Sequence, residues 1–139
     1  MPIQQSDVLY TAVATAHGGR DGRVATDDGR LDVIVSPPKE MGGSGTGTNP
    51  EQLFAAGYSA CFQGALGVVA RQEGADVSGS TVTARVGIGK NDEGFGIIVE
   101  IEADIPNMDA AEARALIEKA HQVCPYSKAT RGNINVTLR

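Results

Sequence analysis

No cluster of lysine or arginine occurs anywhere in this 139-residue chain, whose formal net charge is −5. That balance excludes non-specific attraction to nucleic acid or to an anionic membrane surface. The first residues, Met1-Pro2-Ile3-Gln4-Gln5-Ser6-Asp7, lack the basic-then-apolar order of an export leader, so a cytoplasmic location is expected. Only one apolar-rich run is long, Leu53 to Ala70, and it carries Tyr58, Ser59, Gln63 and three glycines. Its 18 residues reach only the bottom of the membrane-spanning range, and a buried core helix is the better reading. Internal repeats and linkers are lacking too, which leaves a single domain over residues 1–139. A disordered chain is excluded by 41% hydrophobic and 21% charged content. Cysteine is scarce, with Cys61 and Cys124 alone. With no export signal, both are expected as reduced thiols rather than as a permanent staple.

The remaining pattern predicts an α+β chain. Asp7 to Thr15 is rich in β-formers and reads as a strand. The glycine-rich His17 to Arg23 segment reads as a loop. A short strand at Val24–Thr26 and a clearer one at Leu31–Val35 follow, the second stopped by Pro37-Pro38. Met41 to Thr48 holds four glycines in eight residues and must be irregular. Asn49-Pro50-Glu51 then opens a helix, with a cap, a proline at the first position and a carboxylate near the positive end. It runs to about Glu73 and is apolar on nearly every side, so it belongs at the centre. Gly57, Gly64 and Gly67 each cost it about 1 kcal/mol against alanine. Tolerating all three implies that another backbone comes close.

Thr81–Lys90 and Phe95–Ile105 alternate as a hairpin around the Asn91–Gly94 turn, with Glu100, Glu102 and Asp104 on the outer face. A second helix starts at Asp109, with Glu112 at capping-box spacing, and ends at Cys124 because Pro125 follows. Ile134, Val136 and Leu138 alternate in a last strand. The order is βββ-α-ββ-α-β, with antiparallel pairing favoured over parallel.

Free cysteine is among the most buried residue types, so both thiols could be small core hydrophobes. Two features point the other way. The two cysteines lie on the two helices that must pack together in so small a domain. Arg20 sits in a polar glycine loop and Glu51 opens a helix, each without another evident task. A neighbouring cation lowers a thiol pKa, arginine does so at any relevant pH, and a buried-site arginine needs a carboxylate partner.

Three segments carry a family resemblance. The run from Asn49 to Phe62, Asn-Pro-Glu-Gln-Leu-Phe-Ala-Ala-Gly-Tyr-Ser-Ala-Cys-Phe, resembles the first cysteine motif of organic hydroperoxide resistance proteins. Val123-Cys124-Pro125-Tyr126-Ser127-Lys128-Ala129-Thr130-Arg131-Gly132-Asn133 resembles the second, and Ala16–Gly22 the arginine loop. The likeness covers essentially the whole chain, within the superfamily that includes the osmotically inducible protein C (OsmC-like) type. It implies an OsmC-like fold with antiparallel sheets around central helices, as an intertwined homodimer. It further implies that Cys61 is the peroxidatic thiolate, oxidised to a sulfenic acid, and Cys124 the resolving thiol that condenses with it. Arg20 would stabilise the thiolate and the charge on the leaving oxygen, and Glu51 would hold Arg20. The implied reductant is a dihydrolipoyl group on a partner protein, with no bound cofactor.

On a straight helix Glu51 and Cys61 are ten residues apart, about 15 Å. One arginine would be stretched to reach both. Either the helix bends, or Glu51 and Arg20 serve the cysteine of a second subunit, which the helix glycines favour. Leu53, Phe54, Phe62, Phe95, Tyr126 and Met41 are available for an apolar entrance, suited to alkyl, aryl or fatty-acid hydroperoxides. A redox sensor, an apolar-ligand-binding module and an inert structural domain are the rival readings. His121-x-x-Cys124 with Cys61 and His17 makes a poor zinc site, lacking paired Cys-x-x-Cys spacing. Gly43–Asn49 lacks the Gly-Lys-Ser/Thr ending of a phosphate loop.

Overall fold

The structure is a computed structural model that describes residues 2–139. Two compact units divide after Pro50. In the first, β1 (Ala14–His17), β2 (Gly22–Thr26) and β3 (Asp32–Val35) form an antiparallel sheet in that order. The β1–β2 turn passes through Gly18 and Gly19 at φ 81° and 60°, a region side chains rarely occupy, and presents Arg20 at its tip. After β3 the chain makes a one-turn 3-10 helix at Lys39–Met41, and Thr48 returns to bridge Val35.

The second unit starts on α1 (Pro50–Glu73) and continues with the long hairpin β4 (Thr81–Asn91) and β5 (Gly94–Asp104). Then come α2 (Ala110–Val123), α3 (Pro125–Thr130) and β6 (Val136–Leu138). β4 and β5 pair antiparallel from Thr81↔Asp104 to Asn91↔Gly94. Tyr58, Phe62, Leu66 and Val69 of α1, Val99 and Ile101 of β5, and Leu116, Ile117 and Ala120 of α2 make the core. Removing these side chains from water is the main stabilising contribution, worth roughly 1.5–3 kcal/mol for each large one.

Both bounds of α1 follow its sequence. Pro50 begins it with a pre-set φ, and Gly74, at φ 67°, ends it while the Ala75 N–H reaches back to the Ala70 carbonyl at 2.9 Å. By length and composition α1 could cross a membrane. Six of its residues, Tyr58, Phe62, Ala65, Leu66, Val69 and Ala70, are buried within the chain. On α2, Asp109 caps as expected, its side chain accepting from the Glu112 N–H at 3.3 Å.

Four expectations change. Of the strand expected over Asp7–Thr15 only Ala14 and Thr15 are in β1; Gln5–Asp7 is a 3-10 turn, and Val8, Leu9, Tyr10 and Val13 are exposed. Strand composition without regular alternation misled there. The expected loop over His17–Arg23 is shorter, because its ends pair as His17↔Arg23. The chain does leave α2 at Cys124, but a further helix, α3, begins at once. Proline ends one helix through the residue before it and starts the next through its own fixed φ. Finally, β6 joins β5 in parallel, Val99 opposite Val136, while the other strand-to-strand pairings are antiparallel.

Candidate active site: a thiol pair at the α2–α3 junction

Cys61 lies in the middle of α1 and Cys124 between α2 and α3, so the packing of α1 against that junction sets their separation. The sulfurs are 3.5 Å apart and both thiols are free. A disulfide needs roughly 2.05 Å, so closure asks for an approach of about 1.5 Å. The two differ in access: Cys124 is fully buried and Cys61 only partly.

The first turn of α3 serves both sulfurs. The Ser127 N–H donates to Cys124 Sγ at 3.5 Å, and the Tyr126 backbone N–H favours the charged form of Cys61. Burial pushes the Cys61 thiol above its ordinary pKa; the Tyr126 N–H works against this, and Cys124 adds to the rise. Desolvation outweighs that opposing effect, so the Cys61 thiol lies above its ordinary range.

Behind Cys124 lies a buried polar network that sequence reasoning missed. Tyr58 Oη is 2.8 Å from Ser127 Oγ and 3.0 Å from Thr130 Oγ1. His121 Nδ1 is 2.8 Å from Ser127 Oγ, and Thr130 Oγ1 donates to the Ser127 carbonyl at 3.3 Å. Burial, then the charge of Arg131, holds the His121 pKa below its ordinary value. The available signal was a serine and a threonine spaced three apart, beginning three residues after Cys124, and a tyrosine in the largely apolar stretch of α1.

Beside the thiols, Phe54, Tyr58 and Tyr126 form an aromatic trio with ring centroids 5.6–6.1 Å apart. Gly57 makes room for it: a Cβ there would stand 2.7 Å from Tyr126 Oη. That glycine therefore admits a side chain, where a backbone was expected. A Cβ at Gly64 or Gly67 would meet none of the described residues within 4 Å.

Of the residues expected at an apolar entrance, Phe54 and Tyr126 are thus together. Phe62 is fully buried in the core, and Leu53 is half-buried on the first turn of α1. Phe95 is exposed at the hairpin end, its ring 5.6 Å from Lys90 Nζ, and Met41 is exposed in the first unit. Arg20 is an exposed turn residue of the first unit, and Glu51 is half-buried on the first turn of α1. Among the described residues no group of three or more His, Cys, Asp or Glu could hold a metal ion.

The OsmC-like protein family matches residues 43–139. An organic hydroperoxide resistance protein of Xanthomonas axonopodis is 58% identical over 133 residues, covering 94% of each chain. The chain belongs to the OsmC-like family, among its organic hydroperoxide resistance proteins. OhrB of Bacillus subtilis, another such protein, is 46% identical over 94% of this chain and 96% of its own. A solved organic hydroperoxide resistance protein of Vibrio cholerae, with captopril bound in one of its active sites, superposes with a TM-score of 0.90. It is 50% identical, with 97% of this chain and 94% of that one covered. These OsmC-like relatives span nearly their full lengths in the match, so the α+β architecture described above is that of the family.

Proposed function

We propose that this chain acts in organic hydroperoxide resistance as a two-cysteine peroxidase. The observation that carries the reading is the pair of free thiols 3.5 Å apart, one reachable and one buried. The Cys61 thiolate attacks the distal peroxide oxygen, the O–O bond breaks, and the alkoxide takes a proton and leaves as an alcohol. Cys61 is left as a sulfenic acid. The Cys124 sulfur then attacks the Cys61 sulfur, the S–O bond breaks, and the departing hydroxide takes the Cys124 proton to become water. A dihydrolipoyl dithiol carried by a partner protein returns the disulfide to two thiols and is itself oxidised to the cyclic disulfide.

Because burial raises the Cys61 pKa, the cycle needs a cation, and Arg20 is assigned that role with Glu51 as its carboxylate partner. Phe54 and Tyr126 favour an organic substituent over hydrogen peroxide, which gains nothing from apolar contact; Met41, Leu53, Phe62 and Phe95 carry less of that assignment. The two compact units belong in this reading to one OsmC-like domain, working as a cytoplasmic homodimer.

One stopped-flow experiment decides it: reduced protein is mixed with an alkyl hydroperoxide and thiols are counted. Loss of two thiols per chain at the rate of peroxide consumption is expected. Slow loss, or none, would remove the peroxidase reading. A lipoamide-coupled assay must then give sustained turnover, since a single oxidation without turnover describes a sensor.

A further inference from the structure

One arrangement of protons satisfies all four contacts of the polar network behind Cys124. In it the Thr130 hydroxyl gives its proton to the Ser127 carbonyl, which can only accept and also takes the Arg131 N–H at 2.8 Å. The 3.0 Å contact between Tyr58 and Thr130 is then a bond donated by Tyr58. With its proton so used, Tyr58 Oη accepts from Ser127 Oγ at 2.8 Å. Ser127 Oγ in turn accepts at 2.8 Å, and the donor is His121 Nδ1–H. The protons run one way, from His121 to Ser127, Tyr58, Thr130 and back to the Ser127 carbonyl. No described buried side-chain nitrogen or oxygen lacks a partner.

Ser127 enters this chain twice, and its own N–H is the group that touches Cys124 Sγ. The histidine is fixed from outside, since Arg131 Nη1 donates to its carbonyl at 2.6 Å. His121 also lines an open cleft of about 610 Å³ with Arg131, Asn91, Asn133 and Asn135. Burial and Arg131 lower the His121 pKa, which favours the neutral ring near pH 7, whose Nδ1–H tautomer can start the chain.

We propose that His121, as its Nδ1–H tautomer, is a positioning residue for Cys124: through Ser127 it holds the buried sulfur in line for attack on oxidised Cys61. The role rests on the peroxidase reading and concerns only its second step, in which the S–S bond forms, the S–O bond breaks and water leaves. Peroxide attack at Cys61 does not involve it.

The test separates the two steps. Reduced wild-type, His121→Phe and His121→Asn proteins are mixed with an alkyl hydroperoxide, quenched at millisecond intervals, treated with a sulfenic-acid trap and weighed by mass spectrometry. In His121→Phe, sulfenic acid should form at the wild-type rate. Disulfide closure should slow about tenfold, the rate equivalent of one lost hydrogen bond. His121→Asn, whose amide N–H can stand in for Nδ1–H, should recover most of that loss. Closure at the wild-type rate in His121→Phe, equal slowing of both steps, or no recovery in His121→Asn overturns the proposal. If the variants do not fold, nitrogen NMR of the wild-type histidine decides: Nδ1 protonated and Nε2 bare supports the chain, and the reverse tautomer overturns it. Wild-type protein that forms neither sulfenic acid nor disulfide is a different failure, that of the peroxidase reading, and the positioning role falls with it.

Discussion

Tyr58 places a hydroxyl at a point no water reaches, between Ser127 and Thr130, while its ring packs against Phe54 and Tyr126. Removing that oxygen strands two buried hydroxyls, so Tyr58→Phe should cost about 1–3 kcal/mol, read as a lowered urea midpoint at unchanged slope. An unchanged midpoint would mean the three hydroxyls are not mutually satisfied. Gly57 sets a second demand. Alanine there gains about 1 kcal/mol of helix propensity but meets Tyr126 Oη at 2.7 Å, and overpacking of this kind costs roughly 1–3 kcal/mol. Gly57→Ala is expected to be net destabilising in the wild type and less so in a Tyr126→Phe background, where the nearest atom is gone. Equal effects in both backgrounds would refute the clash. At this scale the two cysteines were legible because so few residues compete for their chemistry. The hydroxyl network was not, because serine, threonine and tyrosine look alike in a sequence whether they face water or one another.

Among the elements, the α2–α3 junction carries most of the site, and a single proline makes it. Cys124 closes α2, with its N–H on the Ala120 carbonyl at 2.8 Å, and its sulfur caps the first turn of α3. The junction should respond to pH through His121. Its folded pKa is depressed, first by burial and then by Arg131, so the unfolded chain takes up the proton more readily. The contribution is therefore present above the ordinary histidine value near 6.5 and is lost as pH falls through it toward the depressed folded value. Wild-type stability should drop between pH 7.5 and pH 5, and His121→Asn should drop less over the same range, by urea unfolding at each pH. Parallel pH profiles for the two proteins would show that the histidine titrates alike folded and unfolded. The limits of α1 and the β4–β5 hairpin were readable beforehand because Pro50, Gly74 and strict alternation are local signals. The start of α3 and the parallel seat of β6 were not: the first needs proline read as a beginning as well as an end, and the second is decided by where β5 already lies.

At the scale of the whole molecule, the apolar surface of the single chain is left incomplete. Leu9 is 101% exposed, Tyr10 80% and Ile3 76%, all within an N-terminal stretch that forms no strand before Ala14. Ala56, Ala60 and Gly64 stand exposed on one face of α1, and neither Gly64 nor Gly67 has anything within 4 Å that a Cβ would meet. Glycines that weaken a helix by about 1 kcal/mol each and admit nothing within their own chain are accounted for if a second copy approaches there. The homodimer in the proposed function rests on these two surfaces, and each is testable alone. Light scattering at micromolar concentration should give twice the 14.4 kDa chain mass. Leu9→Asp should shift the protein toward monomer by exposing a charge to an apolar partner surface. Gly64→Leu isolates the α1 face, because leucine improves helix propensity and a Cβ there meets none of the described residues within 4 Å, so a lone chain should be no less stable. It should nonetheless raise the dimer dissociation constant at least about tenfold, since a leucine side chain would occupy the space the second copy fills. A Gly64→Leu protein that dimerises like the wild type would place the interface away from α1. A wild-type protein that stays monomeric would remove the homodimer, and with it any sharing of Arg20 or Glu51 between subunits.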